Sequence, residues 1–348
     1  MTIAERQLPR TVEELEDRLS EPSDATVAAL RDSPGDVIVL GAGGKMGPTL
    51  ARMVERAARI ADGSIRRRVF AVSRFSSDSA ALALQHAGVA VIRANLLDLG
   101  AVERLPDAPN VIFMAGQKFG TKDAPARTWM LNGAVPALCA QRYKASRVVA
   151  FSTGNVYPLV PVASAGADET TAPGPVGDYA ASCVVRERVF TLASKLWGTR
   201  VAIMRLNYAI DLRYGVLTDI ATKVHRGEPV DVTMGHVNVI WQGDANRAAI
   251  AMLPLAANPP LVLNVSGGTT LSVRALASQL GKRLGKTPQF AGQEAPDALL
   301  TNTARYRSLL DPVETKTELL LDWVAEWVRE GRPLLGKPTH YESRLGAF

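Results

Sequence analysis

Short runs of apolar residues, separated by segments of helical length, recur along most of the chain. The first run, residues 36–40, ends at a cluster of glycines, which is typical of a buried parallel strand. Similar runs occupy residues 68–73, 89–93, 111–115, 147–152, 201–206 and 261–265. This alternation predicts an α/β fold built on a Rossmann-type, doubly wound parallel sheet.

The same pattern divides the chain into a Rossmann domain and a smaller lobe. Thr11 followed by Glu14 is typical of a capping box and places a helix ahead of the first strand. After the sixth apolar run the strand–helix rhythm breaks down, which predicts a smaller, C-terminal, substrate-binding lobe. The predicted units are a helical extension at 1–35, the Rossmann domain at 36–207 with a returning segment at about 236–268, and the lobe at 208–235 and 269–348.

A glycine-rich turn follows the first strand directly and leads into a helical pattern. Gly41 permits the tight turn, Gly44 lets the backbone approach a pyrophosphate, and Gly47 allows close packing of helix on strand. The helix N-terminus presents unpaired N–H groups to an anion. We therefore predict a nicotinamide dinucleotide cofactor, held at this turn by Gly41, Gly43, Gly44, Lys45, Met46 and Gly47.

The end of the second predicted strand bears on the choice between NAD and NADP. NAD-selective domains usually place an acid there to bind the ribose 2′-hydroxyl, whereas this chain has Ser73 and Arg74. A guanidinium can bind a 2′-phosphate in a forked arrangement, with nearby hydroxyls in support. We expect NADP(H) to be favoured and NAD(H) to remain usable.

Composition narrows the class of protein further. The chain has 348 residues, of which 47% are hydrophobic and 21% charged, as in a globular protein of one elaborated domain or two. No apolar stretch approaches the ~20 residues of a bilayer span, and residues 1–10 lack an apolar signal core. We expect a cytoplasmic protein without a membrane partner.

Charge and cysteine usage exclude other classes. Cys139 and Cys183 are too few and too far apart for a disulfide framework or a zinc site, and 4 scattered histidines add no metal-ligand spacing, so we expect no metal. The net charge of +6 comes from dispersed basic residues, which argues against a specific nucleic-acid partner. A small-molecule substrate is expected, and a homodimer is compatible with the sequence.

Several separate motifs over residues 36–275 together resemble the extended short-chain dehydrogenase/reductase family, in its epimerase/dehydratase group. They are Gly41-x-x-Gly44-x-x-Gly47, Met114-Ala115-Gly116, Asn132, and the segments 151–157, 179–182, 205–208 and 239–244. The resemblance implies an NAD(P)-dependent epimerase, dehydratase or reductase. It also implies further cofactor contacts at Asn95, Leu96, Met114, Ala115, Gly116, Tyr179 and Asn207.

The same resemblance implies the catalytic residues. Tyr179 takes the position of the family's acid/base, Asn132 its relay position, and Thr153, or else Ser152, the hydroxyl that orients the substrate oxygen. A hydroxyl donor beside a phenol suits this chemistry, because one holds the carbonyl or alcohol while the other transfers a proton as hydride moves. Further substrate contacts are expected at Lys118, Asn155, Asn207 and Tyr208.

One member of the family's signature is replaced in this chain. Four residues after Tyr179, where the family has a lysine that lowers the tyrosine pKa, stands Cys183. A neutral thiol leaves the phenol nearer its ordinary pKa of ~10 and makes it a poorer base. Cationic help is expected from the cofactor, from Lys118 in the loop after the fourth strand, or from Arg186 two helical turns from the tyrosine.

The substrate is less well defined by the sequence. Relatives that act on nucleotide-sugars commonly carry an arginine in the interval that here reads from Gly235 to Ile240, and this chain has none there. We therefore expect a free sugar, a sugar acid or a related hydroxy or keto compound, with His236 as a candidate contact. The alternative is a non-catalytic NADP-binding regulator or sensor of the same fold.

Overall fold

The computed structural model describes residues 8–63, 67–118, 120–121, 123–337 and 339–346. Its strands are β1 (Val37–Leu40), β2 (Val69–Ser73), β3 (Ala90–Arg93), β4 (Asn110–Phe113), β5 (Arg147–Thr153), β6 (Val160–Pro161), β7 (Arg200–Leu206), β8 (Ala209–Ile210), β9 (Val230–Asp231), β10 (His236–Val237), β11 (Ile240–Trp241), β12 (Leu261–Val265), β13 (Leu271–Ser272), β14 (Phe290–Ala291) and β15 (Asp297–Ala298).

The helices flank these strands. They are α1 (Val12–Leu19), α2 (Asp24–Arg31), α3 (Gly47–Asp62), α4 (Asp78–His86), α5 (Leu99–Glu103), α6 (Pro125–Trp129), α7 (Val135–Arg142), α8 (Gly177–Trp197), α9 (Val216–Arg226), α10 (Gln242–Ala251), α11 (Val273–Leu284), α12 (Ala304–Leu310) and α13 (Thr317–Arg329). A π-helical segment, Met130–Ala134, joins α6 to α7, and a 3-10 turn, Gly154–Val156, follows β5.

The predicted Rossmann-type sheet is confirmed. It has 7 strands in the order β12-β7-β5-β4-β1-β2-β3, and every adjacent pair is parallel. Each apolar run of the sequence corresponds to one of these strands, with ends that differ by two residues at most. From β1 the strand order runs outward in both directions, so the order reverses between β1 and β4. Ligands of α/β folds bind at the carboxyl ends of the strands at such a reversal point.

Apolar layers cover both faces of the sheet because successive side chains of a strand point to opposite sides. Val37 and Val39 pack into one layer, together with Leu50 of α3. Ile38 and Leu40 pack into the other, with Phe190 of α8. A strand that is buried on both faces reads as a continuous apolar run, which is the pattern that predicted the sheet.

A second core belongs to the smaller lobe. Helices α9, α11 and α13 pack around it, and the rings of Trp241 and Trp323 meet edge to face with centroids 5.6 Å apart. Leu15 and Leu19 of α1 are fully buried in this same core. Helix α1 is thus packed against the lobe, whereas α2 packs on α3 and α10, with Val27 and Leu30 in the first apolar layer of the sheet. The exact domain boundaries stay a prediction.

No helix within the described ranges is long and apolar enough to cross a bilayer.

Candidate active site

A cleft of about 660 Å³ lies between the carboxyl edge of the sheet and the smaller lobe. The glycine turn and Met114 after β4 line one side of it, and Tyr208, Tyr214 and Val216 of the lobe line the other. The cleft also contains these predicted residues: Gly41, Gly43, Gly44, Lys45, Met46, Gly116, Lys118, Ser152, Thr153, Asn155, Tyr179 and Asn207.

The glycine turn forms a cradle that side chains could not occupy. Gly41 has φ +92°, and a Cβ on it would lie 2.5 Å from the backbone nitrogen of Ala115. At Gly43 a Cβ would lie 2.6 Å from the Ser73 hydroxyl, and at Gly47 2.4 Å from the Ala42 carbonyl oxygen. Helix α3 begins here without a side-chain cap. The turn therefore fits a dinucleotide pyrophosphate, which binds through backbone N–H groups at such a terminus.

The strand β2 ends beside this cradle. Ser73 is its last residue, and Arg74 follows with an exposed side chain. Of the other predicted cofactor contacts, Asn95 is exposed and Leu96 is buried in the core layer that contains Phe113. The structure does not bring Asn95 or Leu96 to the cleft.

Thr153 and Tyr179 meet inside the cleft. Thr153 is the last residue of β5, and Tyr179 lies in the first turn of α8. Their hydroxyls are hydrogen-bonded, and the Thr153 hydroxyl also accepts from the Asn155 side-chain nitrogen at 2.9 Å. Burial raises the pKa of Tyr179 well above its ordinary value, so the phenol stays protonated at neutral pH.

Cys183 occupies the helical position one turn beyond Tyr179 and is fully buried. Its thiol is hydrogen-bonded to the Tyr179 hydroxyl, and burial raises the thiol pKa. The contact therefore adds no cation. It raises the pKa of Tyr179 further, in the direction opposite to that of the family's lysine.

Arg186, one more helical turn along α8, places a guanidinium behind the tyrosine. It donates to the Phe151 carbonyl oxygen at 2.9 Å and to Asn132 Oδ1 at 2.6 Å, and it also lines the cleft. Its charge lowers the pKa of Tyr179, against the larger effect of burial. Arg186, one of the cations expected to compensate for the missing lysine, thus lies within electrostatic reach of the phenol.

Asn132 is part of the same cluster, within the π-helical segment. Its Nδ2 donates to the Ser182 hydroxyl at 2.9 Å and to the Gln117 carbonyl oxygen at 3.0 Å, and its Oδ1 accepts from the Gln117 N–H at 2.9 Å. Because its side chain is fully buried and these groups use both ends of the amide, Asn132 holds the loop after β4 against α8.

Two lysines line the cleft as well. Lys45 Nζ donates to the Ala209 carbonyl oxygen at 3.1 Å and lies 4.2 Å from the centroid of the Tyr214 ring. Lys118 lies in the loop after β4, within electrostatic reach of Cys183. Burial lowers the pKa of both lysines to about 8.

Ser152 lines the cleft but has a structural partner. Its hydroxyl donates to Glu187 Oε1 at 2.5 Å, and Arg205 makes a forked ion pair with the same carboxylate at 2.9 and 2.7 Å. Arg205 also donates to the Tyr157 hydroxyl, which donates to Asn264 Oδ1 at 2.8 Å. Both hydroxyls at the end of β5 therefore have partners, Ser152 in this buried network and Thr153 at Asn155 and Tyr179. The substrate role expected for each stays a prediction.

His236 is not brought to the cleft. It lies on β10, paired with Ser272, outside the residues that line the cleft, and a substrate contact there stays a prediction. Other residues of the cleft were not predicted from the sequence, because they lie in segments that carry no recognisable motif and are far from the motifs along the chain. They are Glu16, Arg213, Tyr214, Lys337 and Thr339.

The parallel sheet and its glycine turn together define a dinucleotide-binding fold, with a buried tyrosine in the cleft. The family model of the NAD dependent epimerase/dehydratase family matches residues 37–256 of the chain. The chain belongs to this family, which confirms the resemblance seen in the sequence and makes the protein an NAD-dependent enzyme rather than a non-catalytic sensor. No curated protein sequence showed significant similarity to the chain.

Solved structures share the fold at low sequence identity. The UDP-Glc/GlcNAc 4-epimerase of Campylobacter jejuni is 20% identical with a TM-score of 0.70, over 85% of this chain and 100% of that one. The UDP-glucuronic acid 4-epimerase of Bacillus cereus is 17% identical with a TM-score of 0.69, over 85% and 99%. The UDP-glucose 4-epimerase of Thermotoga maritima is 19% identical with a TM-score of 0.68, over 85% and 99%. These likenesses support the fold.

Proposed function

We propose that this enzyme moves a hydride to or from a carbinol or ketone carbon of a sugar, a sugar acid or a related hydroxy or keto compound, as an epimerase, dehydratase or reductase. The observation that carries the proposal is the hydrogen-bonded pair of Thr153 and Tyr179 hydroxyls in the cleft that the glycine cradle also lines. A bound nicotinamide dinucleotide supplies the hydride acceptor or donor.

The protein's own residues position and move the proton. Thr153 orients the substrate oxygen, and Tyr179 donates a proton to it or accepts one from it at the phenol oxygen. Because burial raises the pKa of Tyr179, the phenol is protonated at neutral pH and has a proton to donate, while almost no phenolate is present to accept one. Reduction should therefore be less impaired at neutral pH than oxidation, whose rate should rise with pH.

Incubation with NAD(H) and NADP(H) and a panel of sugars, sugar acids and UDP-sugars, with product stereochemistry read by NMR, tests this function. Turnover of a hydroxy or keto compound from the panel is the expected result. Absence of turnover with every panel member in both directions, in a protein that binds the cofactor, would contradict the proposal. A strict requirement for the UDP group would contradict the expectation of a smaller substrate.

Arg186 supplies the positive charge that the family takes from its lysine. We expect Arg186→Met to lower turnover by about 10- to 100-fold at neutral pH, because a neighbouring cation stabilises tyrosinate. The variant should also need a pH about one unit higher than the wild type to reach the same oxidation rate. Arg186→Lys should recover part of the shift. The measurement is the pH profile of turnover for each variant.

The matched control is Arg188→Met, which removes an exposed arginine from the same helix. It should leave the pH profile unchanged. If Arg186→Met lowers the melting temperature but leaves the profile in place, Arg186 only supports the fold around Asn132 and Phe151.

The preference for NADP(H) over NAD(H) is supported by Ser73 at the end of β2 and by the exposed Arg74 beyond it. We expect Arg74→Ala to weaken NADP(H) by about tenfold or more and NAD(H) little, since the guanidinium pairs only with the 2′-phosphate. Calorimetry with both cofactors measures this. Arg68→Ala, at the opposite end of the same strand, is the control, and equal weakening of both cofactors by Arg74→Ala would refute 2′-phosphate recognition.

A further inference from the structure

We propose that the protein binds a small organic cation, an ammonium compound with an aromatic or aliphatic body, in a second cavity that is separate from the cleft. This cavity has a volume of about 450 Å³ and lies between the turn that joins α1 to α2, helix α10, and the segment that joins α12 to α13. Among the described residues, none lines both the cavity and the cleft. A volume of this size is typical of small-molecule sites.

Most of the cavity wall lies outside the residues that the family model matches. The N-terminal segment contributes Arg18 and residues 21–25, and the C-terminal segment contributes Tyr306, residues 310–315 and Trp323. The family model matches residues 37–256, which include only the α10 side of the wall. The cavity is thus formed where the two ends of the chain pack on the family domain.

Hydrogen bonds tie the three sides of the cavity to one another. Arg247 of α10 donates from Nε to the Glu21 carbonyl oxygen at 3.0 Å and from its guanidinium to Asp244 Oδ1 at 2.7 Å. Asp244 Oδ2 in turn accepts from the N–H of Thr315 at 2.7 Å. These bonds connect α10 both to the turn after α1 and to the segment before α13, so the cavity is a preformed space.

Two buried polar atoms of the wall have no hydrogen-bond partner among the described residues. One is Oε1 of Glu314, a carboxylate whose other oxygen pairs with Arg307. The other is the indole nitrogen of Trp323, a side chain that is only 3% exposed. Buried polar groups are nearly always hydrogen-bonded in native proteins. An ammonium group would donate to Glu314, and an oxygen atom of the same ligand would accept from Trp323.

The charges of the wall favour a cation over an anion. Each arginine of the wall already pairs with an acid of the wall. Asp24 and Asp311 add negative charge at exposed positions. Burial raises the pKa of Asp244 and of Glu314, although each carboxylate has an arginine partner. A bound cation would stabilise the ionised form of both carboxylates, whereas an anion would be repelled.

The rest of the wall favours an organic cation over a metal ion. Trp241, Trp323 and Tyr306 line the cavity together with Leu310 and Ala251. Aromatic faces attract ammonium groups and bury apolar bodies, while Ca²⁺ and Mg²⁺ need several oxygen ligands. No group of acids, histidines and cysteines among the described residues is arranged to hold a metal ion.

Three compounds with one benzene ring and similar chains test the choice of ligand. Phenylalaninol carries an ammonium and a hydroxyl group, phenylpropanol lacks the ammonium, and hydrocinnamate has a carboxylate instead. Calorimetric titration of the full chain, with NAD present at saturation, should show phenylalaninol binding at least about tenfold tighter than phenylpropanol, and hydrocinnamate weakest. The net charge of the chain is +6 and would attract the anion, so this order cannot come from overall charge.

Variants locate the bound compound. Glu314→Gln removes the charge of the unpaired carboxylate and should weaken phenylalaninol by about tenfold or more. Ala251→Leu narrows the cavity without changing any charge and should weaken phenylalaninol and phenylpropanol alike. The matched control is Glu318→Gln, because Glu318 also pairs with an arginine but is exposed and lies outside the cavity wall. It should change neither affinity.

Melting temperatures show which variants fold, and Ala251→Leu decides alone if Glu314→Gln does not. Three results would overturn the inference. Phenylalaninol could bind no more tightly than phenylpropanol, it could bind the wild type and both cavity variants equally and so lie elsewhere, or none of the compounds could bind because the cavity holds only water.

Discussion

Replacing Tyr179 with phenylalanine should lower turnover by about 10²- to 10⁴-fold, the usual contribution of a positioned acid/base group. The change removes the transferable proton and leaves the ring, so cofactor affinity and melting temperature should change little. The loss should appear in both directions of the reaction, because the same phenol oxygen donates and accepts the proton. Steady-state rates with the true substrate, together with cofactor titration, measure the effect.

Tyr143→Phe is the matched control for this variant. Tyr143 is also buried, but its hydroxyl donates to the Pro106 carbonyl oxygen at 3.1 Å, far from the cleft. Losing that hydrogen bond should cost about 1 kcal/mol of unfolding free energy and leave turnover unchanged. Full turnover by Tyr179→Phe would show that another group transfers the proton.

The sheet and the place of Tyr179 in the cleft were predictable because local signals encode them. A strand buried on both faces needs a continuous apolar run, which predicts the strand Val37–Leu40. The glycine turn needs a fixed spacing of glycines, which predicts the turn that begins at Gly41. Tyr179 and Thr153 follow from a motif resemblance that the family match confirms at the level of the whole domain.

The lobe side of the cleft was not predictable in the same way. Glu16 and Lys337 come from opposite ends of the chain and meet at the cleft only through the packing of the lobe. His236 shows the converse: a polar residue in an apparent loop lies in a short strand, paired with Ser272 and outside the residues that line the cleft. The hydrogen bond of Ser152 was not predictable either, because its acceptor, Glu187, lies 35 residues away in the sequence.

Replacing Arg205 with methionine should cost about 3–5 kcal/mol of unfolding free energy, because it leaves a buried charge without its partner. Arg205 and Glu187 are each only 8% exposed, and removing the guanidinium leaves a buried carboxylate whose remaining described partner is the Ser152 hydroxyl. The Tyr157 hydroxyl loses a donor at the same time. Denaturant unfolding of the wild type and the variant measures the difference.

The double variant Arg205→Met/Glu187→Leu should be more stable than Arg205→Met alone, since it removes the unpaired charge as well. Arg283→Met is the control at the surface, where the ion pairs to Glu318 and Asp322 are exposed, and it should cost at most about 1 kcal/mol. If Arg205→Met costs no more than this control, the buried pair does not stabilise the fold.

The strand order also determines how the chain can fold during its own synthesis. Strands β2 and β3 add outward on one side of β1, and β4, β5, β7 and β12 add in turn on the other, so each new strand meets an edge that is already exposed. Domains generally fold from the N-terminus as they leave the ribosome. The first helix is the exception, because Leu15 and Leu19 pack on lobe residues such as Trp241 and Val324. Helix α1 can contact α3 early, but its apolar face completes its packing only after α13 has been made.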